Sequence, residues 1–142
     1  MTKTIMISGG FDPCHIGHVR MMKAAAQYGD VIVAVNSDEW LIRKKGYVFM
    51  PREERMEIIR SFKWVDRVVP VLDKDDTVCK TISFWRPDFF GNGGDRKSDN
   101  TPEVSLCEKY GIELVWNLGG GKIQSSSELV EKSKYFKDGE VK

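Results

Sequence analysis

The only two histidines of the chain, His15 and His18, stand three residues apart inside Gly9-Gly10-Phe11-Asp12-Pro13-Cys14-His15-Ile16-Gly17-His18. An imidazole can donate or accept a hydrogen bond, carry a proton near neutral pH, or bind a metal. Residues three apart on one helical turn share a face, so both rings can address one ligand. The segment follows the apolar run Ile5-Met6-Ile7 and precedes a helical pattern from Val19 to Ala26. It therefore reads as a strand, a glycine-rich turn and a helix start. Paired glycines let a backbone approach a ligand closely. A helix start supplies unpaired N–H groups and partial positive charge, which suit an anion. A zinc site asks for three or four ligands. The chain has no third histidine and no C-x-x-C, and Cys14 reads as a small buried residue. A structural role explains one of the histidines well, but poorly explains both in one turn. Phosphate is the better partner.

Other stretches point the same way. Arg43-Lys44-Lys45-Gly46 is a basic exit loop after a second strand. Such runs are usually solvated, but the C-terminal side of a parallel strand is where α/β ligands bind. Gly93-Gly94-Asp95 follows a later strand, and Gly119-Gly120-Gly121 precedes Lys122, Ser125, Ser126 and Ser127. The serines are caps by default; after a glycine run they also make a second anion site. Asp75-Asp76 reads as a helix cap rather than a metal pair. Arg55 reads either as a helix-surface partner of a glutamate or as a ligand-facing cation. No nucleophile–base pair, G-x-S-x-G, G-x-G-x-x-G or G-K-[ST] pattern occurs. Anion-binding elements on four separate loops suit phosphoryl or nucleotidyl transfer, where positioning and charge neutralisation do most of the work.

The elements that must carry these loops alternate. Strands are expected at Lys3–Ser8, Val31–Val35, about Lys63–Pro70, Phe89–Phe90 and Ile112–Trp116. Helices are expected from about Gly17 to Tyr28 with Gly29 closing the end, and through Glu39–Ile42 after an Asn36-Ser37-Asp38 cap. Others follow from Pro51 at the first helical position, with Met56, Ile58, Ile59 and Phe62 as core face, and from Asp75-Asp76 to about Phe84. The next runs from a Thr101 cap to Tyr110, with Gly111 closing it, and the last passes through Leu129 and Val130. The order βαβαβαβαβ predicts an α/β domain with a parallel sheet. At 142 residues one domain is expected, 1–134, with 135–142 a flexible tail. A net charge of +1 advertises neither nucleic acid nor membrane. The apolar runs are too short to span a bilayer, and no signal-peptide pattern leads the chain. Three irregularly spaced cysteines, Cys14, Cys79 and Cys107, suit free thiols in the cytoplasm.

The His15-Ile16-Gly17-His18 stretch with its Gly-Gly-Phe-Asp lead-in resembles the HxGH signature of the cytidylyltransferase-like nucleotidyltransferases, over most of the chain. The resemblance implies a Rossmann-like three-layer fold with a five-stranded parallel sheet in the order 3-2-1-4-5. It implies transfer of a nucleoside monophosphate from an NTP to a small phosphorylated acceptor, releasing pyrophosphate. By resemblance His15, His18, Lys44 and Arg55 are catalytic. Gly9, Gly10, Phe11, Asp12, Gly17, Gly93, Gly94, Asp95, Lys122, Ser125, Ser126 and Ser127 bind the nucleotide. Mg²⁺ bridges phosphates, and a homodimer forms, with Trp64 in a segment associated with dimers. Trp64-Val65-Asp66-Arg67-Val68-Val69 resembles the phosphoethanolamine enzymes. Asn36-Ser37-Asp38 and Gly93-Gly94-Asp95 resemble the heptose-phosphate adenylyltransferases. Gly120, Gly121, Lys122 and Ile123 stand where cytidylyltransferases carry R-T-x-G, so that arginine is missing. The expectation is CTP with an acceptor such as glycerol 3-phosphate. The alternatives are an ATP-dependent adenylyltransferase acting on a sugar phosphate, or a non-catalytic nucleotide-binding protein.

Overall fold

The computed structural model describes residues 2–93, 101–120 and 129–130. Five strands, β1 (Thr4–Gly9), β2 (Asp30–Val35), β3 (Val65–Pro70), β4 (Phe89–Gly93) and β5 (Glu113–Leu118), alternate with helices. These are α1 (Ile16–Ala25), α2 (Asp38–Lys45), α3 (Arg52–Arg60), α4 (Cys79–Trp85) and α5 (Pro102–Tyr110). All strand pairs are parallel, in the order β3-β2-β1-β4-β5. The expected architecture is the observed one.

Period-two alternation sorts the strand residues between the two faces. Ile5, Ile7, Val31, Val33 and Val35 pack with Met22 and Ala25 of α1 and Met56 and Ile59 of α3. Met6, Ile32, Ala34 and Phe90 pack on the other side with Ile82 of α4 and Cys107 of α5. β1 and β2 are therefore apolar on both faces, as a covered parallel sheet requires. Chain order reverses between β1 and β4, so a crevice opens at the C-terminal end of β1, where the first glycine turn lies.

Several local expectations change. α1 ends at Ala25 with Ala26 as its cap, so Gly29 does not close it. A Cβ on Gly29 would collide with the Lys3 carbonyl, and close packing explains that glycine. Arg43, Lys44 and Lys45 form the last turn of α2, not an exit loop; cations there meet the negative helix end. Gly46 closes α2 with φ of 87°, a conformation that disfavours side chains. Pro51 is the cap of α3 rather than its first residue, and Ile58 faces solvent while Arg55 is buried. Asp75 and Asp76 do not cap α4, whose N-cap is Val78. Asp75 binds Thr77, and Asp76 pairs with Arg43.

Candidate active site

His15 is the N-cap of α1, and the two histidines form a reciprocal capping box. The Gly17 N–H donates to His15 Nδ1, and the His15 N–H donates to His18 Nδ1, each at 3.1 Å. A backbone N–H can only donate, so both Nδ1 atoms are unprotonated acceptors. A neutral ring then carries its proton on Nε2. The rings stack with centroids 3.9 Å apart, and Phe11 meets His18 edge-on at 4.8 Å. Burial, with the charges of His15 and Lys45 adding, lowers the His18 pKa to about 3. His18 is thus a neutral Nε2–H donor at any ordinary pH. Gly17 is required for this geometry, since a Cβ there would stand 2.9 Å from His15 Cε1.

The turn in front of the histidines is held from inside. Phe11 is buried and sits at φ of 53°, a sparsely populated conformation that its packing enforces. Asp12 is fully buried, and its carboxylate accepts the N–H groups of Phe49 and Met50, each at 2.7 Å. The side chains of Phe11 and Asp12 therefore shape the turn. Arg55, 1% exposed, is also withdrawn. Its guanidinium donates to the carbonyls of Gly10, Asn36 and Met50 and pairs with Asp38. The sequence expectation sets Arg55 at the substrate; in the fold its guanidinium is engaged by these four groups. A planar fork with five donors suits a clamp joining the ends of β1 and β2 to the start of α3.

Lys44 is exposed, and its Nζ lies 5.1 Å from the centroid of the Trp40 ring. The lysine turned toward the histidines is its neighbour. Lys45 Nζ reaches the Asp12 carbonyl at 3.4 Å, and its charge is felt at His18. Burial lowers the Lys45 pKa, Asp12 opposes this, and Arg55 and Lys44 add to it. Nothing in the basic run distinguished the two lysines; helix phase separates them. A second unforeseen group is buried Asp73, after β3. It accepts Ser37 N–H, Ser37 Oγ–H and Asn36 Nδ2–H, and so fixes the cap of α2. Burial opposes its ionisation, but these bonds and the Arg52 charge hold its pKa below the usual range.

The end of β4 and the turn after β5 come to α1 one turn beyond His18. A Cβ on Gly93 would stand 2.5 Å from Met21 Sδ, and one on Gly119 would stand 2.9 Å from the Met21 amide nitrogen. Close packing on α1 thus accounts for these glycines, as contact with Leu41 does for Gly10 and with the Phe11 ring for Gly9. Gly94, Asp95, Lys122, Ser125, Ser126 and Ser127 lie outside the described residues, as does the 135–142 segment. Burial pushes the Cys14 thiol up to about 11, so it is protonated near neutral pH. Among the described residues no group of three or more His, Cys, Asp or Glu could hold a metal ion. Also among them, no helix is long and apolar enough to cross a membrane.

A sequence model of cytidylyltransferase-like proteins matches residues 6–131. Bifunctional protein HldE of Syntrophotalea carbinolica is 33% identical over 136 residues, covering 92% of this chain and 27% of the relative. Bifunctional protein HldE of Yersinia pestis is 39% identical over 121 residues, covering 83% and 23%. The chain spans about a quarter of the length of the curated relatives it matches. A lipopolysaccharide core biosynthesis protein from Thermoplasma volcanium superposes with a TM-score of 0.68 at 28% identity, covering 82% of this chain and 95% of that one.

Proposed function

The chain belongs to the cytidylyltransferase-like family, and on that premise we propose that it transfers AMP from ATP to the phosphate of a sugar phosphate. The locked histidine pair at the N-terminus of α1, beside Lys45, carries the nucleotidyl-transfer part of this reading. An oxygen of the acceptor phosphate attacks the α-phosphorus of ATP. The bond from that phosphorus to the bridging oxygen breaks, and its electron pair leaves with pyrophosphate. A phosphate monoester is already largely ionised at pH 7, so the attack needs no general base. That agrees with a site that, among the described residues, holds donors and cations but no nucleophile–base pair. The Nε2–H groups of His15 and His18 donate to phosphate oxygens as charge shifts in the transition state, and Lys45 neutralises that charge. A neutral His18 keeps its proton throughout.

The sequence alone favoured CTP and glycerol 3-phosphate. Asn36-Ser37-Asp38, the missing R-T-x-G arginine, the HldE relatives and the lipopolysaccharide-core neighbour favour adenylyl transfer to a sugar phosphate instead. The Trp64–Val69 segment still favours CTP, which keeps that reading as the comparison arm. Mg²⁺ fits only as an ion held chiefly by the nucleotide's own phosphates, since both Asp12 oxygens are taken by amides and the described residues form no cage. When bound it would add charge neutralisation.

Pyrophosphate release from four NTPs, each with a heptose 1-phosphate or glycerol 3-phosphate, tests the proposal. The expected result is a kcat/KM for ATP with the heptose phosphate at least a decade above every CTP combination. A CTP preference with glycerol 3-phosphate overturns the adenylyl assignment.

A further inference from the structure

The pairing of β4 with β5 slips by one residue near its C-terminal end. Phe89, Phe90 and Gly91 face Glu113, Leu114 and Val115, but Gly93 then faces Leu118. Two steps along β4 thus match three along β5, which is a bulge on β5 at Trp116-Asn117. Asn117 sits there at φ of 59°, in the left-handed region that asparagine enters more readily than most side chains.

The extra residue changes the face that Leu118 joins. Leu114 packs on the α4 and α5 side of the sheet, and Val115 on the α1 side. Plain alternation would return Leu118 to the side of Leu114. With the bulge, Leu118 is buried beside Val115 in the core under α1, because a one-residue slip inverts the pattern. Leu118 Cδ1 takes up the space left by Gly91, where a Cβ would stand 2.3 Å from it. Gly119 then lies against the backbone of α1 at Arg20 and Met21. The Gly120 N–H donates to the Asn117 carbonyl at 3.3 Å, and Gly119 has φ of 80°. That closes a four-residue turn whose third position requires a positive φ. The turn stands on the β4–β5 side of the crevice that opens beyond β1, one helical turn from His18.

We propose that Asn117 is a positioning residue for the nucleoside triphosphate: its left-handed backbone makes the bulge that seats the 117–120 turn on α1, beside the histidine pair. This rests on the nucleotidyl-transfer reading above, whichever base is used. The role belongs to the backbone, so it asks for a residue that accepts positive φ rather than for an amide. Glycine accepts it freely, alanine less, and β-branched valine least. A residue that draws φ negative removes the bulge, turns Leu118 out of the core under α1 and lifts Gly119 off the helix. Only the molecules that keep the turn then bind nucleotide, and the apparent affinity falls by that fraction.

The test is equilibrium binding of non-hydrolysable ATP and CTP analogues to wild type, Asn117→Gly, Asn117→Ala and Asn117→Val, each well below its melting midpoint. The analogue that wild type binds better is expected to bind Asn117→Gly within about twofold of wild type and Asn117→Val about tenfold more weakly. Asn117→Ala should fall between them, and if Asn117→Val does not fold, a loss of about threefold in Asn117→Ala carries the comparison. Alanine and valine variants that melt lower yet bind the analogue as wild type does overturn the proposal, since the bulge then serves stability alone. An Asn117→Gly that loses as much affinity as Asn117→Val also overturns it, because the amide itself then holds the nucleotide. A wild type that binds neither analogue overturns it together with the nucleotidyl-transfer reading.

Discussion

At the scale of single residues, His18 departs furthest from its ordinary behaviour. Its Nδ1 is occupied by a backbone N–H and its ring is buried, with the Lys45 charge near, so it works as a fixed neutral donor. Removing it takes away an interaction that strengthens in the transition state. His18→Ala is expected to lower kcat by roughly two decades with a smaller effect on the KM for ATP; near-normal kcat in a folded variant would make the ring structural. The shifted pKa also has a sign. The folded value is about 3, against about 6.5 in the unfolded chain. Below about 6.5 the unfolded state takes up a proton that the folded state refuses, so stability falls as pH drops toward 3. Urea titrations at pH 7 and pH 5 should show wild type losing roughly 1–2 kcal/mol more than His18→Gln over that interval. Equal losses would mean that His18 titrates normally in the fold.

At the scale of elements, the chemistry depends on joints rather than on the helices themselves. Gly17 opens the space into which His15 folds back as cap. Gly17→Ala is expected to push the imidazole aside and cut kcat at least tenfold, while a cap loss of about 1 kcal/mol leaves the protein folded. Kinetics paired with a thermal melt would check this, and unchanged kcat would show that the ring tolerates displacement. Arg55 is a second joint. Arg55→Met leaves three backbone carbonyls without this donor and takes the cation from Asp38, which keeps the Arg52 N–H. Leaving these acceptors unmet, with Asp38 itself partly exposed, is expected to cost about 1–3 kcal/mol, read from the denaturant midpoint. A loss below about 1 kcal/mol would return Arg55 to a role at the ligand. Arg55→Lys should recover little, because a point charge cannot span three carbonyls.

At the scale of the whole molecule, the parallel sheet leaves β3 and β5 at its edges. β3 presents Asp66 and Arg67 to solvent. Trp64, by contrast, packs against its own chain's core, with Lys63 Nζ 4.3 Å from its ring centroid. Unpaired edges on a small domain favour association with a second copy. A homodimer is the expected state, and light scattering across a concentration series checks it. A monomer mass throughout would rule it out.

The alternating apolar runs, the capped helices and the single histidine-bearing turn determined the α/β class, and with the family resemblance the order of the strands. That information is local or periodic: Ile5–Ile7 and Val31–Val35 must be covered on both faces, and Thr101-Pro102 must start a helix. The pairing of His15 with His18 was legible for the same reason, being set within one turn. What each polar side chain does was not legible, because its partner is distant in sequence. Asp12 finds its amides at Phe49 and Met50, Asp73 its donors at Asn36 and Ser37, and Arg55 its carbonyl at Gly10. A charged residue in a motif is read from sequence as facing a ligand, yet burial turned Arg55 and Asp12 inward. Helix phase, a property of where α2 begins at its Ser37 cap, turned Lys45 rather than Lys44 toward the histidines. Only the tertiary structure decides such matters, since they depend on which backbone groups would otherwise be buried without a hydrogen bond.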